Sequence, residues 1–570
     1  MRIPTVFTPE LQQRHGRTGW LVALVGAVLL VGSPYLPWAY GSDALDDMTY
    51  LGGPSPTQFL GLGLGALLLV CLLGVRFSGR LLTGRRSRWF AFAGGAKAAA
   101  VGAAVYVAVV LLAVTLELGG LINVEYGGWV ALVGAVVALV GTRLLPPAPA
   151  PTVARVSSPA WLVIVTIAVV MLVLLLTVAY ALDQDDPGIF VALLVFLVTV
   201  VVILLRVGLG PWFSAQTRRY RAVLVMAAFV AAFAFPFTQD GSEANMSIAT
   251  QVLIFAATAL GLNIVVGLAG LLDLGYIAFL GAGAFVAAIL SGSAFSAVGW
   301  NPPFIVTVLI SGLVASLLGL IIGSPTLRVS GDYLAIVTLA FGEIFRLVMI
   351  NLDGSDGPDL TNGSNGIPGV PDLNFFGYDF GESHVILGIE IGRFANYYFL
   401  LLLVIALIMV VFNNLNRSRI GRGWVAIRED EKAAEAMGVN VFGLKLFAFA
   451  GGAFLAGVAG AVRAHHDISV TPDQYIFLES AFLLAAVVLG GMGTIVGVLL
   501  GAVLLRLMPE KLRFVDEYRL LIFGALLVLM MRFRPEGLVA SRQRQLEFHE
   551  DDEELADKID PTVPTTEGAR

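Results

Sequence analysis

Runs of about 20 apolar residues recur along this chain, each long enough to cross a bilayer as a helix. Trp161–Leu182 is one such run, with no charged residue over its whole length. Strands of an outer-membrane barrel would instead alternate apolar and polar residues in short segments. Composition agrees: 58% of residues are hydrophobic and 13% charged, against about a quarter charged in a soluble domain. The expected fold class is therefore all-α, a polytopic integral membrane protein of about sixteen transmembrane helices. No separate soluble enzymatic domain fits, because the segments between apolar runs are short.

Charge sets the orientation, since cytoplasmic loops carry excess Lys and Arg. Arg76, Arg80, Arg85, Arg86 and Arg88 fall in one loop, and Arg218, Arg219 and Arg221 in another. Asp43, Asp46 and Asp47, then Asp183, Asp185 and Asp186, fall on the opposite side. This pattern predicts a multi-pass protein of the plasma membrane with both termini cytoplasmic. Lys511 and Arg513 run against it. Arg14 and Arg17 precede an apolar run, as in a signal peptide. No small-x-small cleavage site follows, only Pro34-Tyr35-Leu36-Pro37-Trp38, so the run reads as an uncleaved first span. Cys71 is the only cysteine, which excludes an intramolecular disulfide and marks it as a packing residue.

Three sections are expected. Residues 1–215 form an accessory membrane section of about six helices, and residues 216–545 a functional core of about ten. Residues 546–570, with Glu550-Asp551-Asp552-Glu553-Glu554, read as an acidic, disordered cytoplasmic tail. The largest outside loop, Asp353–Asn396, is dense in Gly, Asn, Asp and Pro, which make tight turns. It is either a solvated connector or a docking surface for an extracytoplasmic partner. Gly452, Ala456 and Gly460, and again Gly493, Gly497 and Gly501, form small-residue stripes suited to close helix packing in lipid.

A charged island, 416–443, separates two long apolar spans of the core. It holds Arg417, Arg419, Arg422, Arg428 and Lys432, so it faces the cytoplasm. Its interior from Arg428 to Met437 is rich in strong helix formers, and Gly438 supplies a stop. A short cytoplasmic helix joined to two spans suits a pore on which a separate motor pulls. No GxxxxGK[ST] phosphate loop occurs, so ATP hydrolysis is expected in another polypeptide.

Other candidates interrupt the apolar runs. Gly267–Gly275, which includes Asp273, and Gly490-Gly491-Met492-Gly493 break two spans at corresponding places. Such breaks mark a transport pathway or are two short cytoplasmic turns. Glu343 and Arg346 lie three apart, on one helix face, either lining a polar path or neutralising each other. Asn263 and Glu479 also fall in apolar spans. His465, His466 and Asp467 are too few and too close in sequence for a metal site.

These residues bring a family into view. The core resembles the permease subunits of bacterial branched-chain amino acid ABC importers, of the LivM type. The matching pieces, in order, include Gly270–Phe279, Ser330–Leu339, Phe341-Gly342-Glu343-Ile344 and Asn365-Gly366-Ile367-Pro368. Gly421-Arg422-Gly423-Trp424, Ala426–Glu431, Leu489–Thr494 and Arg534-Pro535-Glu536-Gly537-Leu538 complete the series, over roughly 245–540. The resemblance implies a type II ABC importer-like permease core. It implies four partners: a sister permease, two cytoplasmic ATP-binding subunits and an extracytoplasmic substrate-binding protein. No cofactor and no nucleic acid is implied, and membrane lipid is the surrounding partner.

The resemblance also assigns 416–443 as the segment that docks on the ATPase, with Arg422, Arg428, Glu429, Glu431, Ala433, Ala434 and Gly438 as coupling residues. Importer permeases carry Glu-Ala-Ala-x-x-x-Gly there. Here Lys432 stands in the Glu position before Ala433-Ala434, and Glu431 lies one residue early. Asn263, Asp273 and Glu343 are the candidate pathway residues. The six added N-terminal spans depart from the family pattern.

Three function classes compete. The first is a permease of an ATP-driven importer for branched-chain or related amino acids; family members that import urea or short amides leave the substrate open. An ion-coupled secondary transporter is the second, and it would need more intramembrane carboxylates than Glu343 and Glu479. The third, a membrane enzyme, lacks any clustered catalytic constellation.

Overall fold

A computed structural model of the chain describes residues 9–40, 55–81, 90–147, 158–184, 186–296, 298, 300–327, 333–355, 358–375, 377–386 and 388–511. It also describes residues 521, 524–525, 528, 532 and 537–539. The expected acidic tail and Ser330-Gly331-Asp332 lie outside the described residues, as does most of the expected span near 517–533. Contacts divide the chain into two compact units, Met1–Thr238 and Gln239–Arg570. This division groups Arg221–Ala234 with the first unit.

Among the described residues, the first unit holds eight α-helices. They are α1 (Pro9–Gly32), α2 (Pro56–Leu81), α3 (Phe92–Glu117), α4 (Tyr126–Arg143), α5 (Ala160–Asp183), α6 (Pro187–Val207), α7 (Leu209–Arg219) and α8 (Arg221–Ala234). Small residues let α1 and α4 touch backbone to backbone. A Cβ added at Gly26 would sit 2.4 Å from the Ala138 nitrogen. Cys71 is buried, as a packing residue would be.

The second unit holds α9 (Glu243–Leu262), α10 (Ile277–Ile289), α11 (Phe304–Thr326), α12 (Tyr333–Asn351) and α13 (Arg393–Arg417). It continues with α14 (Arg419–Glu429), α15 (Glu431–Ala436), α16 (Val441–Asp467), α17 (Phe477–Gly490) and α18 (Ile495–Lys511). The long α16 is central and packs on α10 and α11. The glycine stripes serve this packing. A Cβ at Gly460 would meet the Leu280 carbonyl of α10, and one at Gly497 of α18 would meet the Gly490 carbonyl of α17.

Thirteen helices among the described residues are long and apolar enough to cross a membrane, where the sequence predicts about sixteen. Two of the expected spans, near 273–292 and 493–508, are the shorter helices α10, with 13 residues, and α18, with 17. The physical reason in the first case is a broken helix. α9 passes into a π-helical turn, Asn263–Leu268, and Gly270 then adopts φ +73°. The backbone stays non-helical until α10 begins.

The loop after α12, expected to lie outside, is folded. It carries two small hairpins, Asn374–Phe375 with Tyr378–Asp379 and His384–Ile386 with Ile389–Ile391. A third pairing joins Ile367–Pro368 to Ser469–Val470, just beyond α16. Asp353 Oδ1 accepts from the Ser355 amide at 2.9 Å, which holds its carboxyl below the usual carboxylate range. Arg393 pins the loop to α16. Its Nε donates to Asp372 at 2.8 Å, and its Nη2 to the His465 and His466 carbonyls at 2.8 and 3.0 Å.

Candidate functional site

The charged island forms a compact elbow between α13 and α16. Its sequence predicts one helix through Arg428–Met437; the structure has two, broken at Asp430. Asp430 Oδ1 accepts from the Ala433 amide at 3.0 Å, so this residue caps α15 instead of continuing α14. Helix propensity favoured continuation, but the capping bond satisfies an amide that the start of α15 leaves open. Ser418 caps α14 in the same way through the Gly421 amide, and Asn440 caps α16 through that of Gly443. Gly438, at φ +83°, ends the segment as expected.

Trp424 anchors the elbow. It is fully buried, donates from Nε1 to the Leu444 carbonyl at 2.8 Å and stacks on Phe447. Lys445 reaches Glu431 at 2.6 Å. Arg422, Glu429, Glu431, Ala433 and Gly438 remain exposed, whereas Ala434 is buried. Met437 is 84% exposed, an apolar side chain left without cover in this unit.

Arg428 turns inward. Its Nη1 donates to the Gly267 carbonyl, in the π-helical turn, at 2.9 Å, and its Nη2 meets Glu429 at 3.1 Å. A Cβ at Gly270 would sit 2.6 Å from Arg428 Cγ. Asn263, at the start of that turn, is wholly buried. Its Oδ1 accepts from the Gly493 amide at 2.8 Å, and its Nδ2 donates to the Thr494 carbonyl at 3.3 Å. The two interrupted spans are therefore clasped to each other through Asn263, and the elbow is fastened to the clasp through Arg428. Gly491 and Gly493, at φ +118° and +77°, hold the second interruption.

Asp273 sits farther along the break, 1% exposed, with Oδ1 accepting from the Gly275 amide at 2.9 Å. Gly275 lies against α12, where a Cβ would fall 1.9 Å from the Thr338 carbonyl. Tyr276 donates to the Gly452 carbonyl of α16 at 2.6 Å, and Ser480 Oγ accepts the Ile277 amide at 3.0 Å, closing the first turn of α10. Glu343 is not part of this cluster. Arg346 bonds it at 3.2 Å and reaches Asp473 at 3.1 Å, tying α12 to the turn before α17.

Sequence reasoning missed Arg463 and Arg506. Both stand in apolar runs, on α16 and α18, and both meet carboxylates: Asp467 at 3.0 Å and Glu479 at 3.9 Å. The cost of intramembrane charge was the available signal; it picks out Glu343, Arg346 and Glu479 and applies equally to these two arginines.

Residues 245–531 match the family model described as branched-chain amino acid transport system / permease component. The high-affinity branched-chain amino acid transport system permease protein LivM of Salmonella typhimurium is 40% identical over 340 residues, 57% of this chain and 76% of the relative. Its Escherichia coli counterpart is 39% identical over 352 residues, 59% of this chain and 79% of the relative. A ribose import permease protein of Haemophilus influenzae is 26% identical over 329 residues, 56% of this chain and 92% of the relative. No solved structure matches. A family match over half the chain, joined to helices built to cross a membrane, makes this multi-pass protein a member of the branched-chain amino acid permease family, a transport subunit of an ABC system and not an enzyme.

Proposed function

We propose that this chain is a plasma-membrane permease for leucine, isoleucine and valine, with both termini in the cytoplasm. Its partners are a sister permease, two cytoplasmic ATP-binding subunits and an extracytoplasmic binding protein. The elbow 416–443 docks on an ATP-binding subunit through its exposed face, where Arg422, Glu435 and Met437 are free of cover in this unit. The folded loop 353–396, at the other end of α13, receives the binding protein.

One observation carries the reading: the Arg428 bond to Gly267. A docking element with no bond to the pore could be moved without consequence. Here the elbow holds a carbonyl of the broken helix, which Asn263 joins to the second break. Displacement of the elbow on ATP binding would thus reach both interruptions. These are places where backbone is not locked into a continuous helix and can rearrange.

The test is uptake of radiolabelled leucine, isoleucine and valine by cells with the chain, without it, and with Arg428→Glu plus Glu431→Lys. Uptake is expected to disappear in the deletion and in the charge-reversed protein at normal membrane levels. Unchanged uptake after removal of the ATP-binding subunits would sink the ATP-driven reading; a proton uncoupler would then be tried. Uptake of urea or short amides alone would replace the substrate assignment.

A further inference from the structure

At the ends of α13 and α16 remote from the elbow, the second unit holds a half-open cavity of about 440 Å³. Small-molecule sites commonly span about 300–1,000 Å³. Part of the lining is apolar: Ile254 and Phe255 on α9, Leu280 on α10 and Leu483 on α17. The rest carries an unusual density of charge for the interior of a membrane protein.

Most of that charge is already matched. Arg393 is held by Asp372 at 2.8 Å, and Arg463 by Asp467 at 3.0 Å. Arg506 and Glu479 differ. Arg506 Nη1 and Glu479 Oε1 stand 3.9 Å apart, beyond hydrogen-bond distance, while Arg506 Nη2 donates to Gln251 at 2.9 Å. Two more lining residues hold buried polar atoms without a partner, His466 Nε2 and Gln474 Oε1. His466 is only 2% exposed. Buried polar atoms are nearly always bonded, so these two are exceptions that sit beside the loosely paired charges.

We propose that this cavity binds a zwitterionic α-amino acid with an apolar side chain: Arg506 takes the carboxylate, Glu479 the ammonium, and the Ile254, Phe255, Leu280 and Leu483 wall the side chain. A guanidinium presents paired donors that match a carboxylate. Opposite charges that face each other loosely accept a ligand carrying both signs, each meeting its counter-charge. Urea or an amide brings no charge to either, so the site selects against them. The proposal deepens the importer reading and rests on it.

The test uses the purified full-length chain in lipid nanodiscs with radiolabelled leucine. The competitors are 4-methylpentanoate, which lacks the ammonium, 3-methylbutylamine, which lacks the carboxylate, and urea. Each leucine analogue is expected to compete at least ten-fold more weakly than leucine, and urea not at all. Arg506→Gln should weaken leucine and 4-methylpentanoate at least ten-fold while leaving 3-methylbutylamine unchanged; Glu479→Gln should show the mirror pattern. A purely structural role would weaken all three alike. Uniform losses, or no leucine binding by the wild-type chain, overturn the proposal. Melting temperatures in the same nanodiscs identify a variant that fails to fold. Arg506→Lys, which keeps the charge, should then retain the leucine preference over 3-methylbutylamine, and losing it overturns the assignment. Chain-dependent, ATP-driven leucine uptake without binding here removes the cavity and leaves the importer; binding without chain-dependent uptake removes the importer reading instead.

Discussion

The two units put similar apolar sequence to different uses. In the first, α5 crosses as an unbroken helix, with 11% of its most apolar stretch buried within the chain. In the second, α9 and its π turn have 89% of theirs buried, and the helix breaks within that buried stretch. Continuous helices satisfy their own backbone and can face lipid all round. A broken helix cannot, so it must be enclosed and its loose amides and carbonyls met by neighbours. Asn263, Arg428 and Ser480 supply those partners. The difference marks the second unit as the one whose helix breaks are held by side chains from neighbouring elements.

The sharpest way to break this contrast is Gly275→Leu. A side chain there collides with the Thr338 carbonyl, and a loss of about 3 kcal/mol is expected. The reading is a large drop in melting temperature in detergent; an unshifted value would mean that α12 does not pack on the break. Next comes Asn263→Ala, which strands the Gly493 amide in the interior at a cost of about 2 kcal/mol, checked by the same melt. Arg428→Ala should lower leucine uptake about ten-fold, equivalent to about 1.4 kcal/mol, at normal membrane levels and nearly unchanged melting temperature. Asp430→Ala removes the α15 cap and should cost about 1 kcal/mol, seen as faster backbone amide exchange over 431–436 alone. Smallest is Leu172→Ala on α5, a residue 53% exposed within the chain, with a change within about 0.5 kcal/mol. A larger change would show that α5 has a partner.

Much of this was legible in the chain itself. Apolar runs announce helices, because a bilayer allows little else. Glycines at 267, 270 and 275 around the polar Asp273 announced the break, although α16 keeps five glycines in one continuous helix. The Glu343–Arg346 pair followed from helical spacing alone. What stayed hidden depends on partners far away in sequence. Nothing local to Asn263 tells that it will meet Gly493, or that Arg428 will find Gly267. The stop at Asp430 was hidden differently: its neighbours favour helix, and one side-chain bond outweighs them. Arg463 and Arg506 were visible as charges, but their shared cavity appears only when α16, α17 and α18 come together.

The length of α16 has a mechanical consequence. Its 27 residues at about 1.5 Å each make a rod of about 40 Å. The rod begins beside the Asn440 cap and ends where Arg393 grips the carbonyls of His465 and His466. Rocking it by about 5° around its middle carries each end about 2 Å in opposite directions. Such a swing would pull the Arg393 grip, now 2.8 to 3.0 Å, out of bonding range. A tug at the elbow end of the rod would then loosen the loop that Arg393 pins, with nothing but a lever between them.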